Sequence, residues 1–233
     1  MTGNIEQNVQ FVRKNIAEAA KKSGRNPDDI KLIGVTKTIP PERMKELLAA
    51  GVTAIGENRV QEFLPKHEIL APEHAVEWHF IGHLQRNKVK FIADKVDLIH
   101  SVHSLELAGE IDKQARKFGR QIDILIEVNI ANESTKFGLK PEEVLDFAGK
   151  LVDFANIRLK GLMCIAPFVE NGSENRLFFE NMRNLRVDIA KKYHYYHQAN
   201  NLNLSMGMSG DYSVAIEEGA TMVRVGTALF GER

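Results

Sequence analysis

Short runs of aliphatic and β-branched residues alternate with amphipathic helical segments along nearly the whole chain, and this alternation most constrains the fold. The first such run is Ile30 to Val35, after a helical segment from Asn4 to Lys22 whose Ile5, Val9, Val12 and Ile16 share one face. Later strand candidates are Val52–Ile55, Glu77–Ile81, Asp97–Val102, Ile122–Ile130, Arg158–Ile165, Leu202–Met206 and Thr221–Val225. Helical segments separate them. One opens at Pro40-Pro41-Glu42, with proline where a first turn has no use for its N–H. Others span Glu57–Leu70 and Gln85–Asp94, follow the cap Ser104, open at Pro141-Glu142-Glu143, start at Ser173, and span Asp211–Glu218. The end, Ala228 to Arg233, reads as a short turn.

Eight βα units after one extra N-terminal helix predict an α/β fold: a single-domain (β/α)8 TIM barrel over residues 1–233. A doubly wound open sheet would use fewer strands and a glycine-rich nucleotide turn near its start, which is absent. The charges balance, 31 basic against 31 acidic, so no global field favours nucleic acid. No apolar stretch is long enough to span a bilayer, and the N-terminal residues lack a signal-peptide core. A lone cysteine, Cys164, makes no internal disulfide. The expectation is a cytoplasmic protein, a monomer, with neither nucleic acid nor membrane as partner.

Barrels of this kind carry their chemistry at the C-terminal ends of the strands. Polar residues gather there: Thr36-Lys37, Glu57-Asn58, His83, His100-Ser101, Asn129, Cys164, Ser205-Met206-Gly207, and Arg224 with Gly226-Thr227. Lys37 directly follows an apolar strand. A partly desolvated amine there has a lowered pKa and attacks carbonyls; the same position also suits a lysine reaching for water. Ser209-Gly210-Asp211 and Gly226-Thr227 open two consecutive elements with small residues, a pattern that cradles phosphate and equally one that simply caps helices. Arg224 alternates with Val223 and Val225, so it faces the other side of its strand and needs an acceptor from the protein or a ligand. Lysine, phosphate cradle and inward cation together fit a phosphorylated aldehyde held as a Schiff base. Pyridoxal 5′-phosphate (PLP) satisfies all three.

Longer segments carry a resemblance. Gly34-Val35-Thr36-Lys37, Gly56-Glu57-Asn58-Arg59-Val60-Gln61-Glu62 and Trp78-His79-Phe80-Ile81-Gly82-His83-Leu84 are joined by Asn129 through Gly138, Leu204-Ser205-Met206-Gly207-Met208-Ser209-Gly210-Asp211-Tyr212, and Arg224-Val225-Gly226-Thr227. In order and content these resemble the pyridoxal-phosphate homeostasis protein family, related by fold to the barrel domain of alanine racemase. The resemblance implies a PLP Schiff base on Lys37 and Arg224 facing the pyridine nitrogen. It also places Asn58, Ser205, Met206, Ser209, Gly226 and Thr227 around the cofactor. It implies cofactor handling, with apo PLP-dependent enzymes as recipients and no catalytic residue. Arg59 stands where an aromatic is usual, and His103 where an acid is usual.

An amino-acid racemase of the same barrel class is the alternative. It needs a base on each face of the cofactor. The related racemases take the second base, a tyrosine, from an added domain for which the eight residues after Val225 leave no room; Tyr212 is the nearby tyrosine. A cation at the ring nitrogen also weakens the cofactor as an electron sink. A barrel enzyme without PLP would need a strand-end carboxylate as base, and Glu57 is the candidate. No metal site is expected. His79 and His83 are four apart on a strand running into a turn, and His194 and His197 lack partner ligands.

Overall fold

The computed structural model describes residues 4–193 and 202–231. Helix α1 (Ile5–Lys22) leads in, with Asn4 accepting the Glu6 N–H as its cap. The alternation then runs β1 (Lys31–Val35), α2 (Pro41–Ala49), β2 (Ala54–Glu57), α3 (Val60–Leu70), β3 (Glu77–Phe80), α4 (Val89–Ile92), β4 (Leu98–Val102) and α5 (Leu105–Lys117). It continues through β5 (Ile122–Val128), α6 (Val144–Lys150), β6 (Ile157–Cys164), α7 (Arg176–Lys192), β7 (Asn203–Ser205), α8 (Tyr212–Glu217), β8 (Met222–Val225) and α9 (Thr227–Phe230). The strands close in sequence order into one parallel barrel, with Ile33 of β1 beside Arg224 of β8. The (β/α)8 barrel with its extra N-terminal helix is the fold expected.

Two apolar layers follow from strand periodicity. Ile33, Ala54, Leu98, Leu125, Met163 and Met222 pack inside the barrel. Alternating neighbours such as Ile124, Ile126, Val223 and Val225 pack outward against the helices. This is why β5 reads as almost continuously apolar. Gly161 sits where the β5–β6 register shifts, at φ +144°; a Cβ there would meet the Asn203 carbonyl oxygen at 2.0 Å.

Several boundaries differ from the sequence expectation. Glu57 belongs to β2, not to the helix after it: its backbone pairs with Phe80, and its side chain is buried on Lys66. The expected helix over Gln85–Asp94 is a 3-10 turn, Arg86–Lys88, followed by the four-residue α4, with no side-chain cap to start it. The expected terminal turn contains α9, because Leu229 and Phe230 are buried and Asn8 of α1 donates to the Leu229 carbonyl. The His194–His197 segment lies outside the described residues. Among the described residues no helix is long and apolar enough to cross a membrane.

Candidate functional site

At the C-terminal mouth a cavity of about 320 Å³ opens between the ends of β1, β6, β7 and β8. Its volume is in the range of small-ligand pockets, about 300–1,000 Å³. Lys37, Ser209, Arg224, Gly226 and Thr227 line it together. Five of the eight residues marked in the sequence thus meet in one place.

Lys37 stands just beyond β1 on a clamped turn. The Thr36 carbonyl accepts from Lys66 Nζ at 2.7 Å, and the Thr38 N–H donates to Glu62 at 2.6 Å. Thr38 is left-handed, at φ 63°, which costs a non-glycine residue about 1–2 kcal/mol and is held by these contacts. Lys37 itself is exposed, so the desolvated amine expected from its position is not what the fold provides. It is the last residue pushed out of an apolar strand into an open cavity.

Arg224 is the buried counterpart, only 4% exposed and on the interior face with Met222. Burial lowers its pKa from the usual arginine value. Its acceptors are neutral: Nη1 donates to Ser205 Oγ at 2.7 Å and Nη2 to the Cys164 carbonyl at 2.8 Å. Among the described residues no carboxylate forms an ion pair with it. A buried cation so supported is suited to meet a ligand acceptor from below.

The β7–α8 turn supplies the opposite wall. Gly207, at φ +92°, lets the chain pass where a Cβ would meet Tyr212 Cα at 2.8 Å, and its carbonyl accepts from the Arg224 N–H. Asp211 braces the turn. One oxygen accepts from the Met208 N–H at 2.7 Å and the other from buried Asn175 at 2.9 Å. Ser209 Oγ accepts long hydrogen bonds from the N–H groups of Gly226 and Ala228, at 3.4 and 3.3 Å. Ser209, Gly226 and Thr227 line the same opening, an arrangement that suits a phosphate oxygen.

The other three marked residues lie apart from the cavity lining. Ser205 and Met206 are fully buried: Ser205 lies beneath Arg224, and Met206 pairs its N–H with the Met222 carbonyl. Asn58 lines a neighbouring hollow with Arg59 and His83, and its Oδ1 is buried without a partner among the described residues. Sequence reasoning missed His79 and His100 as one buried pair. Period-two alternation could have found His79, between Trp78 and Phe80 of the outer layer; at His100 the β4 register shifts between Ile99 and Val102 and breaks the pattern. Lys66 was also missed, although it sits four residues after Glu62 on α3.

Other candidates resolve plainly. Glu57 is fully buried and bonded to Lys66 and Thr36; burial raises its pKa while Lys66 opposes the shift. It does not line the cavity with Lys37. His79 is inside the barrel while His83 is exposed at the mouth, stacked on Phe137. Among the described residues no three metal-ligating side chains gather. Cys164 is buried, with its thiol pushed up to about 12 by desolvation. His103 faces Glu127 at 3.4 Å, which raises the imidazole pKa.

Barrel, strand-end lysine and inward arginine define a chain of the alanine-racemase barrel class, and the family described as alanine racemase, N-terminal domain matches residues 7–233. A pyridoxal phosphate homeostasis protein of Aquifex aeolicus is 45% identical over 230 residues, covering 99% of both chains. That of Escherichia coli is 38% identical over 233 residues, covering 99% of this chain and 97% of its own. The chain belongs to the pyridoxal phosphate homeostasis protein family. Among solved structures, PipY of Synechococcus elongatus with PLP bound superposes with a TM-score of 0.78 at 34% identity, covering 93% of this chain and all of that one. An alanine racemase of Clostridium difficile shares the fold, with a TM-score of 0.72 at 19% identity; this chain spans 57% of it.

Proposed function

We propose that residues 1–233 act as one domain that binds PLP as a Schiff base on Lys37 and serves PLP homeostasis, storing the cofactor and delivering it to apo PLP-dependent enzymes. The observation that carries the reading is the shared cavity of exposed Lys37 and buried Arg224, whose side chain donates to neutral acceptors. The PLP-bound PipY neighbour and the homeostasis proteins at 45% and 38% identity support it.

The residues present fit the cofactor. PLP supplies an aldehyde that forms a reversible C=N bond with an amine. Lys37 offers that amine at the cavity wall. Arg224 has only N–H donors, so a ring nitrogen held beside it would act as an acceptor, with its protonation disfavoured. Ser209, Gly226 and Thr227, which line the cavity together, would hold the phosphate. Asn58, with its unpartnered Oδ1, and Ser205 and Met206 support the surroundings from neighbouring positions.

The handler reading is preferred to a racemase on two contacts. Asp211, the carboxylate that lines the cavity, has both oxygens engaged, and Tyr212 is bonded to Asn15 on α1. We place the protein in the cytoplasm, as a monomer, consistent with a single buried thiol. Borohydride reduction of the PLP-loaded protein followed by peptide mass spectrometry tests the assignment. Pyridoxyl is expected on Lys37 and absent from Lys37→Ala, whereas an adduct solely on another lysine refutes it.

A further inference from the structure

Inside the barrel the apolar cluster is crossed by a line of polar side chains. Nη1 of Arg224 donates to Ser205 Oγ at 2.7 Å. Ser205 Oγ lies 2.9 Å from Nδ1 of His100, and Nε2 of His100 lies 2.8 Å from Nδ1 of His79. Nε2 of His79 lies 3.0 Å from Oε1 of Glu77, an ion-pair distance with the ring N–H not aligned for a hydrogen bond, and Oε1 accepts from Lys31 Nζ at 2.6 Å. Ser205, His100 and His79 are all fully buried. Lys31 and Glu77 are the first residues of β1 and β3, so the line runs from the cavity to the opposite mouth.

The charges at its two ends give this line one direction. Arg224 can only donate, so Ser205 accepts from it and has a single hydrogen left to give. That hydrogen goes to Nδ1 of His100, which puts the ring proton of His100 on Nε2. His100 Nε2–H then donates to Nδ1 of His79, whose own proton is on Nε2, toward the Glu77 carboxylate. The reverse direction sets a lone pair of His79 against Glu77 and leaves the Ser205 hydrogen without an acceptor. We propose that His79, His100 and Ser205 are positioning residues: their one-directional chain ties the Arg224 guanidinium, beneath the cavity, to the Glu77–Lys31 pair at the far end of the barrel. This rests on the reading that the cavity holds PLP on Lys37. With Nη1 held by the chain and Nη2 by the Cys164 carbonyl, the plane of the guanidinium is fixed and its remaining N–H groups are aimed. Burial first, and then His79, Arg224 and Lys31, push the His100 pKa well down, so the ring is neutral and keeps one acceptor nitrogen; the chain on Ser205 decides that it is Nδ1.

The test combines nitrogen NMR with cofactor binding. Protein labelled with ring-15N histidine is recorded with and without PLP, and signals are assigned by loss in His79→Gln and His100→Gln. Both rings are expected to carry their proton on Nε2 at neutral pH, with His100 unprotonated at Nδ1 across about pH 5–8. A proton on Nδ1 of either ring at neutral pH, or His100 titrating in that window, overturns the proposal. If either variant fails to fold, the two rings are still recognised in the wild-type spectrum by their mutual 2.8 Å contact, so the ring-proton positions remain readable. Glu77→Gln, remote from the cavity, is expected to weaken the Nε2 preference and raise the Kd for PLP on the order of tenfold, with pyridoxyl still trapped on Lys37. Ser205→Ala should do the same and Ser205→Thr should restore affinity. Unchanged tautomers and unchanged Kd in Glu77→Gln overturn the proposal. Absence of pyridoxyl on wild-type Lys37 instead refutes the cofactor reading, and the ring-proton positions still judge the chain.

Discussion

The Tyr212 hydroxyl accepts a 2.9 Å hydrogen bond from the Asn15 amide, tying the first residue of α8 to the helix that precedes the barrel. A tyrosine used as a second base would point its oxygen into the cavity with Lys37, and Tyr212 does not line that cavity. Tyr212→Phe should therefore cost about 0.5–1.5 kcal/mol in urea unfolding and leave the PLP affinity unchanged. Neither protein should racemise alanine when followed by chiral chromatography. A drop in PLP affinity would put Tyr212 in the site instead.

Thr227 and Ser209 flank the N–H groups of Gly226 and Ala228. Losing one hydrogen bond to a charged group costs about 1.5–3 kcal/mol. Thr227→Val should thus raise the Kd for PLP about tenfold to a hundredfold, read by titration, while the visible band persists at saturation. Unchanged affinity would remove Thr227 from the phosphate contacts.

Lys66 is the cation paired with fully buried Glu57 and also holds the carbonyl before Lys37. Removing one partner of a buried pair leaves an uncompensated charge and costs about 3–5 kcal/mol. Lys66→Met should lose that much in denaturant unfolding, and adding Glu57→Gln should recover part of it. If the single variant is as stable as wild type, the pair does not anchor the turn.

Glu77 gives a pH signature. The adjoining His79 ring, and then Lys31, hold its carboxyl down from 4.5 to about 2, against burial. A carboxyl whose folded pKa is depressed contributes stability above its unfolded value and loses it as pH falls toward the folded one. The Tm of the wild type should fall from pH 4.5 toward about 2 more steeply than that of Glu77→Gln. Parallel Tm curves would mean the carboxyl is not held down.

Much of this was legible in the chain. Period-two and period-3.6 patterns belong to local stretches, so strands, helices and the βα count could be read from β1 to β8. Lys37 and Arg224 were legible because each breaks an apolar strand pattern at a strand end. Glu57 reads as part of a helix because an acid beside Asn58 looks like a helix start; its place in β2 was decided by Lys66, nine residues away, and by pairing with β3.

By itself the sequence determined the alternation and the barrel class and marked Lys37 and Arg224, on which the proposed site rests, since each depends on neighbours along the chain. Barrel closure decided the rest. It put Lys37 and the residues of the β7–α8 turn around one opening, left Lys37 exposed, and tied Tyr212 to Asn15. It also aligned Ser205, His100 and His79 into one buried line, although Ser205 and His100 stand 105 positions apart. Such contacts arise because closing eight strands brings every inward side chain toward one axis, and no local pattern records which of them meet.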